Sequence, residues 1–255
     1  MKISATVIAL NEEAAIARAL RSLTWADEII VVDSGSSDKT IEIAESFGAT
    51  VTHKDWTGFA DQKQFAVDLA ENNWIFSLDA DEEVSPILQR EIVNLKSSTD
   101  LPDGFKIPRL AFYMHRPIRH SGWYPDRQLR LFDRNKGRWK MVPVHESVEM
   151  NSGTRTGKLE GDIFHYSVQS AEHHHKMIGE RYAPLAARAM FESGRTASFR
   201  KILFAGPSAF LRSYVLKAGF LDGLPGLAIA NFAAHHAFLK QLLLLELNNI
   251  NDRAK

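Results

Sequence analysis

Within its first hundred residues the chain four times runs an apolar stretch into a polar turn and then into a segment of helical pattern. "KISATVIAL" reads as a buried strand and "EEAAIARALRSL" as a helix, with Ala14, Ile16, Ala19, Leu20 and Leu23 as its apolar positions. "EIIVVD" is the second strand, and the helical "SSDKTIEIAESFG" after it should stop near Gly48. "ATVTH" is a short third strand, "DQKQFAVDLAENN" a helix, and "WIFSLD" the fourth strand. The helix "PILQREIVNLK" closes the series, with Pro86 suited to its first turn. Parallel strands need crossovers of this kind, and strands buried on both faces read as continuous apolar runs. The rhythm predicts a largely parallel sheet covered by helices, with ligands beyond the carboxyl ends of the strands.

Those ends are where acids collect. "WIFSLDADEEV" places Asp79, Asp81, Glu82 and Glu83 directly after an apolar run, and four carboxylates repel one another. The period-two spacing of Asp79 and Asp81 can put both on one side of the backbone. A hard divalent cation, Mg2+ or Mn2+, takes such oxygen ligands and lets substrate phosphates complete its shell. Glu82 and Glu83 are less defined, one of them a solvated charge near the next helix. A second acidic turn, "DSGSSD", follows strand two: Asp33 ends the apolar run, Gly35 permits a tight turn and Asp38 can cap the next helix. Strand one runs into "LNEE" rather than GxGxxG, which argues against a dinucleotide cofactor. Asn11 offers a donor and an acceptor, and Glu12 or Glu13 can take a ribose hydroxyl, with helix capping as the competing role. Lys63, in "QKQ", is placed either to reach a nucleotide phosphate or to stand exposed on its helix.

The 255 residues, 45% of them hydrophobic, suffice for one large domain or a domain with an appendage. There is no cysteine, so disulfides and thiolate zinc sites are excluded. The opening "MKISATVIALNEEAAI" reads as a first strand and helix rather than a secretory signal, which favours the cytoplasm. The formal net charge is zero but unevenly placed. Residues 1–100 hold 8 Lys/Arg against 18 Asp/Glu, a net of −10, while residues 109–140 hold 9 Lys/Arg against 2 Asp, a net of +7. Such a basic block suits an anionic partner. No helix-turn-helix, zinc-finger or RNP-type signature accompanies it, so nucleic acid is not expected.

After about residue 104 the rhythm changes to strands, "GFKIPRLAFYM", "RQLRLFD" and "HESVEM", separated by Gly- and Pro-containing loops. From about 171 the chain is helical and apolar. The division expected is 1–170, in halves 1–103 and 104–170, followed by a helical region 171–255. Arg195, Arg200, Lys201, Arg212 and Lys217 lie among Phe and Leu with no acid between them. No run reaches the roughly 18 uncharged apolar residues of a spanning helix. An amphipathic helix lying on anionic lipid fits both charge and apolar content, against added core helices or an oligomer contact. "HHHK", His173 to Lys176, is not expected to bind metal, because helical spacing spreads three consecutive histidines around the surface.

The order "VIALNEE", "VVDSGSSDKT", "WIFSLDADEE" resembles the inverting glycosyltransferases of family 2. Their fold is the GT-A nucleotide-diphospho-sugar transferase fold, a Rossmann-like, mostly parallel α/β sheet, here with a C-terminal helical, membrane-associating appendage. "GFADQKQFAVDLAENNW", "GWYPDRQLRLFDR", "VHESV" and the basic-apolar C-terminus resemble the enzymes that add glucose in a β-1,4 link to the inner-core heptose of lipopolysaccharide or lipooligosaccharide. The resemblance covers nearly the whole chain. It implies a donor-binding half over 1–103 and an acceptor-side half over 104–170. Asn11 and Glu12, with Glu13 adjacent, would belong to the first nucleotide-contacting loop, and Asp33 would be the acid near uracil or ribose. Asp79 and Asp81 match the DxD pair, with Asp81 the stronger direct metal candidate. The cation would neutralise a departing nucleoside diphosphate. His145 and His165 are further candidate metal or diphosphate contacts, ranked behind the carboxylates. Arg127 and Arg130 are expected to project together and grip diphosphate or an anionic acceptor.

An inverting single displacement needs a base at the acceptor hydroxyl. Glu146, in "VPVHESV", is the first choice, since a carboxylate is ordinarily deprotonated near pH 7, and Asp126 is the second. The QxxRW signature of processive synthases is missing, so one sugar per encounter is expected. The implied partners are UDP-glucose, an anionic lipid-linked oligosaccharide acceptor and the membrane surface, at the cytoplasmic face of the inner membrane. Transfer to another lipid-linked glycan is the near alternative. A metal-dependent phosphohydrolase with Asp79 as nucleophile is the distant one. Its DxDx[TV] loop should follow the first strand, whereas here three strand–helix units precede, and Glu83 stands where Thr or Val belongs.

Overall fold

The structure, a computed structural model, describes residues 1–141, 146–168 and 170–253. It divides into two compact units, Met1–Leu110 with Asp126–His165, and Ala111–Pro125 with Tyr166–Lys255.

The first unit opens with the alternation anticipated: β1 (Ile3–Ala9), α1 (Ile16–Arg21), β2 (Glu28–Asp33), α2 (Thr40–Ser46), β3 (Thr50–His53), α3 (Phe59–Leu69) and β4 (Trp74–Asp79). A short β5 (Glu82–Val84) then precedes α4 (Pro86–Leu95). Helix α4 starts as its sequence dictates, with Pro86 in the first turn and the Ser85 hydroxyl accepting from Leu88 N at 3.2 Å. β1 pairs in parallel with both β2 and β4, and β2 with β3. The register sets Ala9 opposite Asp33 and Ile8 opposite Asp79, so three strands end at one edge. Successive residues of these strands feed opposite faces, as a doubly covered sheet requires. Val31, Phe76 and Leu78 join Ile16, Leu20 and Leu88 on one side. Ile30, Val32 and Ile75 meet Ala66 and Val67 on the other.

The later strands are β6 (Gly104–Tyr113), β7 (Arg116–Pro117), β8 (Asp126–Asp133), β9 (Gly137–Trp139), β10 (Val148–Met150), β11 (Thr156–Lys158) and β12 (Ile163–Val168). Among the described residues the main sheet runs in the order β3-β2-β1-β4-β8-β6-β12-β5, with β8 antiparallel to both neighbours. β4 and β5 are adjacent in sequence, joined by Ala80 and Asp81, yet three strands lie between them along this path. The sheet therefore curls until its far edge comes within a two-residue step of β4. This mostly parallel, curled α/β sheet is the GT-A fold class expected from the motifs.

In the second unit, α5 (Ala171–Lys176) and a π-type turn lead to α6 (Ala183–Glu192), α7 (Phe199–Leu211) and the long α8 (Gly223–Arg253). The helical appendage expected after the catalytic-type sheet is present. The run "KILFAGPSAFLRSYVLKAGFL" is not one helix. It passes from α7 into a π-type turn at Arg212–Leu216 and a 3₁₀ turn at Gly219–Asp222. Gly226 explains the tightness, since a Cβ there would lie 1.8 Å from the Gly219 carbonyl oxygen. His174 is buried against Tyr113, Trp123 and Phe232 rather than spread over the surface with its neighbours. No helix among the described residues is long and apolar enough to cross a membrane.

Candidate active site

At the shared strand edge, the turn after β2 is locked by its own acid. Asp33 is buried and accepts from Gly35 N at 2.7 Å, from Ser36 N at 2.8 Å and from the Ser36 hydroxyl. A carboxylate used this way shapes the loop. The loop after β1 is tied to it. Asn11, in the left-handed region at φ 54°, donates its backbone N–H to Ser36 Oγ at 2.8 Å and accepts from Ser37 N at 2.9 Å. Glu13 is held at the other end, donating its N–H to Asp38 at 3.1 Å and accepting from Lys39 N at 3.2 Å. The Glu12 carboxylate takes no such partner among the described residues. Burial, then the charges of Asp81 and Asp38, raise its pKa. The part of that rise due to Asp81 and Asp38 is one a nearby cation would offset.

Asp79 and Asp81, expected together, go to different neighbours. Asp79 lies 2.8 Å from Lys63 Nζ and accepts from Arg130 Nη2 at 3.0 Å. Burial pushes its carboxyl up, but Arg130 and Lys63 outweigh that and hold it well below the usual carboxylate range. Asp81 instead stands 3.3 Å from His165 Nε2, with both side chains part-exposed. His145 lies outside the described residues.

Lys63 is neither exposed nor free for a phosphate. It is 3% exposed, sits 3.2 Å from Glu146 Oε1 as well as 2.8 Å from Asp79, and lies 4.9 Å from the Trp139 ring centroid. Of Glu82 and Glu83, one of which was expected to be solvated, Glu82 is fully buried. It accepts from Asp79 N at 2.9 Å and from Arg130 Nη2 at 3.0 Å, with Arg109 at 3.5 Å. Burial raises the Glu82 pKa despite these cations. Arg109 continues to Asp126, donating twice to Oδ2 at 3.0 and 2.6 Å, while Gln128 donates to Oδ1 at 2.7 Å. The outcome is one alternating row of charges: Glu146, Lys63, Asp79, Arg130, Glu82, Arg109, Asp126. Four acids and three bases leave it one negative charge. Buried ions are tolerable only when paired in this fashion.

Arg127 does not join this row. Its guanidinium donates to the Leu159 carbonyl and to Glu160, each at 2.8 Å, while Arg130 ends on Asp79 and Glu82. Alternation along a strand sets residues three apart on opposite faces, so the spacing of Arg127 and Arg130 itself separates them. Phe105 pairs with Leu131 and Lys106 with Leu129, which also makes Arg130 the extra residue of a bulge on β8. Arg109 and Trp139 are the site residues that sequence reasoning passed over, and Glu82 was seen only as part of the acidic turn. A charged residue inside an apolar strand, as in "KIPRLAF", was the available signal for Arg109.

Residues 4–160 match the family model described as glycosyl transferase family 2. The chain belongs to that family. It is 32% identical over 249 residues to the lipopolysaccharide core biosynthesis glycosyltransferase LpsC of Rhizobium meliloti (strain 1021), covering 94% of this chain and 90% of that protein. It is also 32% identical over 259 residues to an uncharacterized glycosyltransferase of Rickettsia bellii (strain RML369-C), covering 97% and 87%. Among solved structures it is similar to glucosyl-3-phosphoglycerate synthase of Mycobacterium tuberculosis in complex with Mn2+, UDP and glucosyl-3-phosphoglycerate. That match has 26% identity, a TM-score of 0.36 and covers 44% of each chain, so the chain spans less than half of the synthase. S. aureus TarS matches over 88% of this chain and 46% of its own, at 15% identity and a TM-score of 0.47. The chain is a glycosyltransferase, close to a lipopolysaccharide core enzyme.

Proposed function

We propose that this family 2 glycosyltransferase moves a hexose, glucose from UDP-glucose, to an inner-core heptose of lipopolysaccharide or lipooligosaccharide, inverting the anomeric centre. The observation that carries the reading is the row of charges from Glu146 to Asp126 along the strand edge, beside the interlocked loops of Asn11 and Asp33. The relative named for lipopolysaccharide core biosynthesis supports the acceptor class. The loops supply backbone and side-chain polar groups for a nucleoside, with Glu12 the acid not consumed in holding them together.

A divalent cation fits one part of the site and not another. Asp79 already faces two cations and has no charge left to offer a third. Asp81 and His165, 3.3 Å apart and part-exposed, supply a carboxylate suited to Mg2+ or Mn2+ and an imidazole that Mn2+, the softer of the two, tolerates better. With two protein ligands, such a site leaves positions for diphosphate oxygens, and among the described residues no group of three acids or histidines forms a closed cage. Bound there, the cation would neutralise charge on the departing nucleoside diphosphate.

Glu146 is the better base. Both oxygens of Asp126 are engaged, by Arg109 and Gln128. Glu146 meets Lys63 through Oε1 only, and its Oε2 has no partner among the described residues. In the proposed step the acceptor hydroxyl gives its proton to Glu146 while its oxygen bonds to the anomeric carbon. The bond from that carbon to the diphosphate breaks on the opposite side, which inverts the configuration. Work at the cytoplasmic face of the inner membrane, with one sugar added per encounter, completes the reading. Offering the purified enzyme a panel of sugar nucleotides with defined core acceptors, followed by linkage and anomeric analysis, tests it. An α-linked product from an α-configured donor would reject the inverting scheme.

A further inference from the structure

Helix α7 is built inside out for a helix on a water-facing surface. It packs on α8 through small residues: Gly206 is buried, with its missing Cβ 3.4 Å from the Ala234 carbonyl oxygen, and Ser213 is buried in the turn that follows. Ile202 and Phe210, one turn to either side of Gly206, are half-buried, while the other large apolar side chains point outward. Phe199, Leu203, Leu211 and Val215 fall at multiples of four along one stripe and are 79%, 52%, 53% and 49% exposed. Phe204 and Leu216, on the next stripe, are 59% and 74% exposed, and Arg200 and Arg212 share that stripe. A surface helix ordinarily turns its apolar face inward and its charges out. Here the outward face is apolar and edged with cations.

The charge says what covers it. Ser193 to Leu221 contains five Lys/Arg and no Asp or Glu. None of Arg195, Arg200, Lys201, Arg212 and Lys217 forms an ion pair among the described residues. A second copy of the chain is a poor occupant, since a two-fold contact would set these cations against their own equivalents with no acid between them. Anionic phospholipid is a good one, because its headgroups answer the cations and its acyl boundary takes the aromatic and Leu side chains. No helix among the described residues is both long and apolar enough to span, and a face of this composition suits the interface plane.

We infer that the outward face of α7 and the turn at Arg212–Leu216 is a membrane-binding surface for anionic bilayers. It deepens the proposed function by naming the partner that holds the enzyme beside a lipid-linked acceptor, and it rests on that reading only for the acceptor. Flotation of the full chain tests it, using phosphatidylglycerol-containing vesicles against pure phosphatidylcholine at low and high salt. The chain should float with anionic vesicles and partition less at high salt. The variant L203E/F204E/L216E should lose partitioning by at least about tenfold while keeping its thermal unfolding midpoint and its turnover of donor with a soluble acceptor. R200Q/R212Q should lose the preference for anionic over neutral vesicles. Equal partitioning into both vesicle types, or none into either, overturns the inference. So does a wild-type dimer by light scattering that F204E makes monomeric in the absence of flotation. Flotation without transfer from any donor upholds the surface and removes the sugar-transfer reading instead.

Discussion

Lys63 Nζ lies 2.8 Å from Asp79 and 3.2 Å from Glu146, so one buried ammonium joins the acid that ends β4 to an acid that lies 83 positions beyond the lysine in sequence. Its charge is shared between the carboxylate proposed as base and the carboxylate that anchors Arg130. Lys63→Met should therefore lower kcat far more than it raises the donor KM, with Lys63→Arg restoring part of the loss. A double-mutant cycle of Lys63→Met with Glu146→Gln should show a coupling of about 1–3 kcal/mol in unfolding free energy. Additive effects would mean that the contact carries no energy.

Glu146→Gln should leave donor binding intact and cut turnover by about 10²–10⁴-fold, the usual share of a general base. Asp126→Asn should act differently, by weakening the hold on Arg109, and should cost stability before turnover. Steady-state kinetics beside thermal melts separates the two. A near-normal Glu146→Gln together with a folded, inactive Asp126→Asn would exchange the roles.

The two acids of the DxD pair should part in behaviour as they do in geometry. Asp81→Asn or His165→Ala should fold normally yet lose metal-supported turnover, with a higher Mn2+ concentration needed for half-maximal rate. Asp79→Asn should instead destabilise the fold by about 3–5 kcal/mol, because it leaves Lys63 and Arg130 buried with too few acids. Denaturant unfolding and metal titration on the same variants decide this. Full activity of Asp81→Ala under stringent chelation would sink the metal assignment.

His174 gives the second unit a pH dependence. Burial, then the charge of His173, lower its pKa to about 4. The folded state keeps the imidazole neutral, whereas the unfolded chain takes up a proton below about 6.5. Unfolding therefore binds a proton between those values, and stability contributed at neutral pH is lost as pH falls from about 6.5 towards 4. The full shift corresponds to roughly 3 kcal/mol, and solvent screening brings the expected loss to about 2 kcal/mol. Melting curves between pH 7 and 4 should show a smaller fall for His174→Phe than for the wild type.

The strand–helix rhythm, the position of Asp33, Asp79 and Asp81 at strand ends, and the family were all legible in the sequence. Each depends on local pattern: apolar runs, turn residues and short motifs within a few positions of one another. The partners of those motifs were not legible. Arg130 meets Asp79 because β8 pairs with β4, and Lys63 meets Glu146 because the β9–β10 pair packs against α3. Burial then decided what charge did. Glu82 and Lys63, ordinary surface residues by composition, became fully paired ions once the fold excluded water from them. The outward apolar face of α7 followed the same division. Sequence set the mixture of cations and aromatics between Arg195 and Leu221, but only packing on α8 turned Gly206 inward and left Phe199, Leu203, Phe204, Leu211, Val215 and Leu216 facing out. Pattern within one element is set by covalent neighbours, whereas pairing between elements is set by register and curvature, which no single segment encodes.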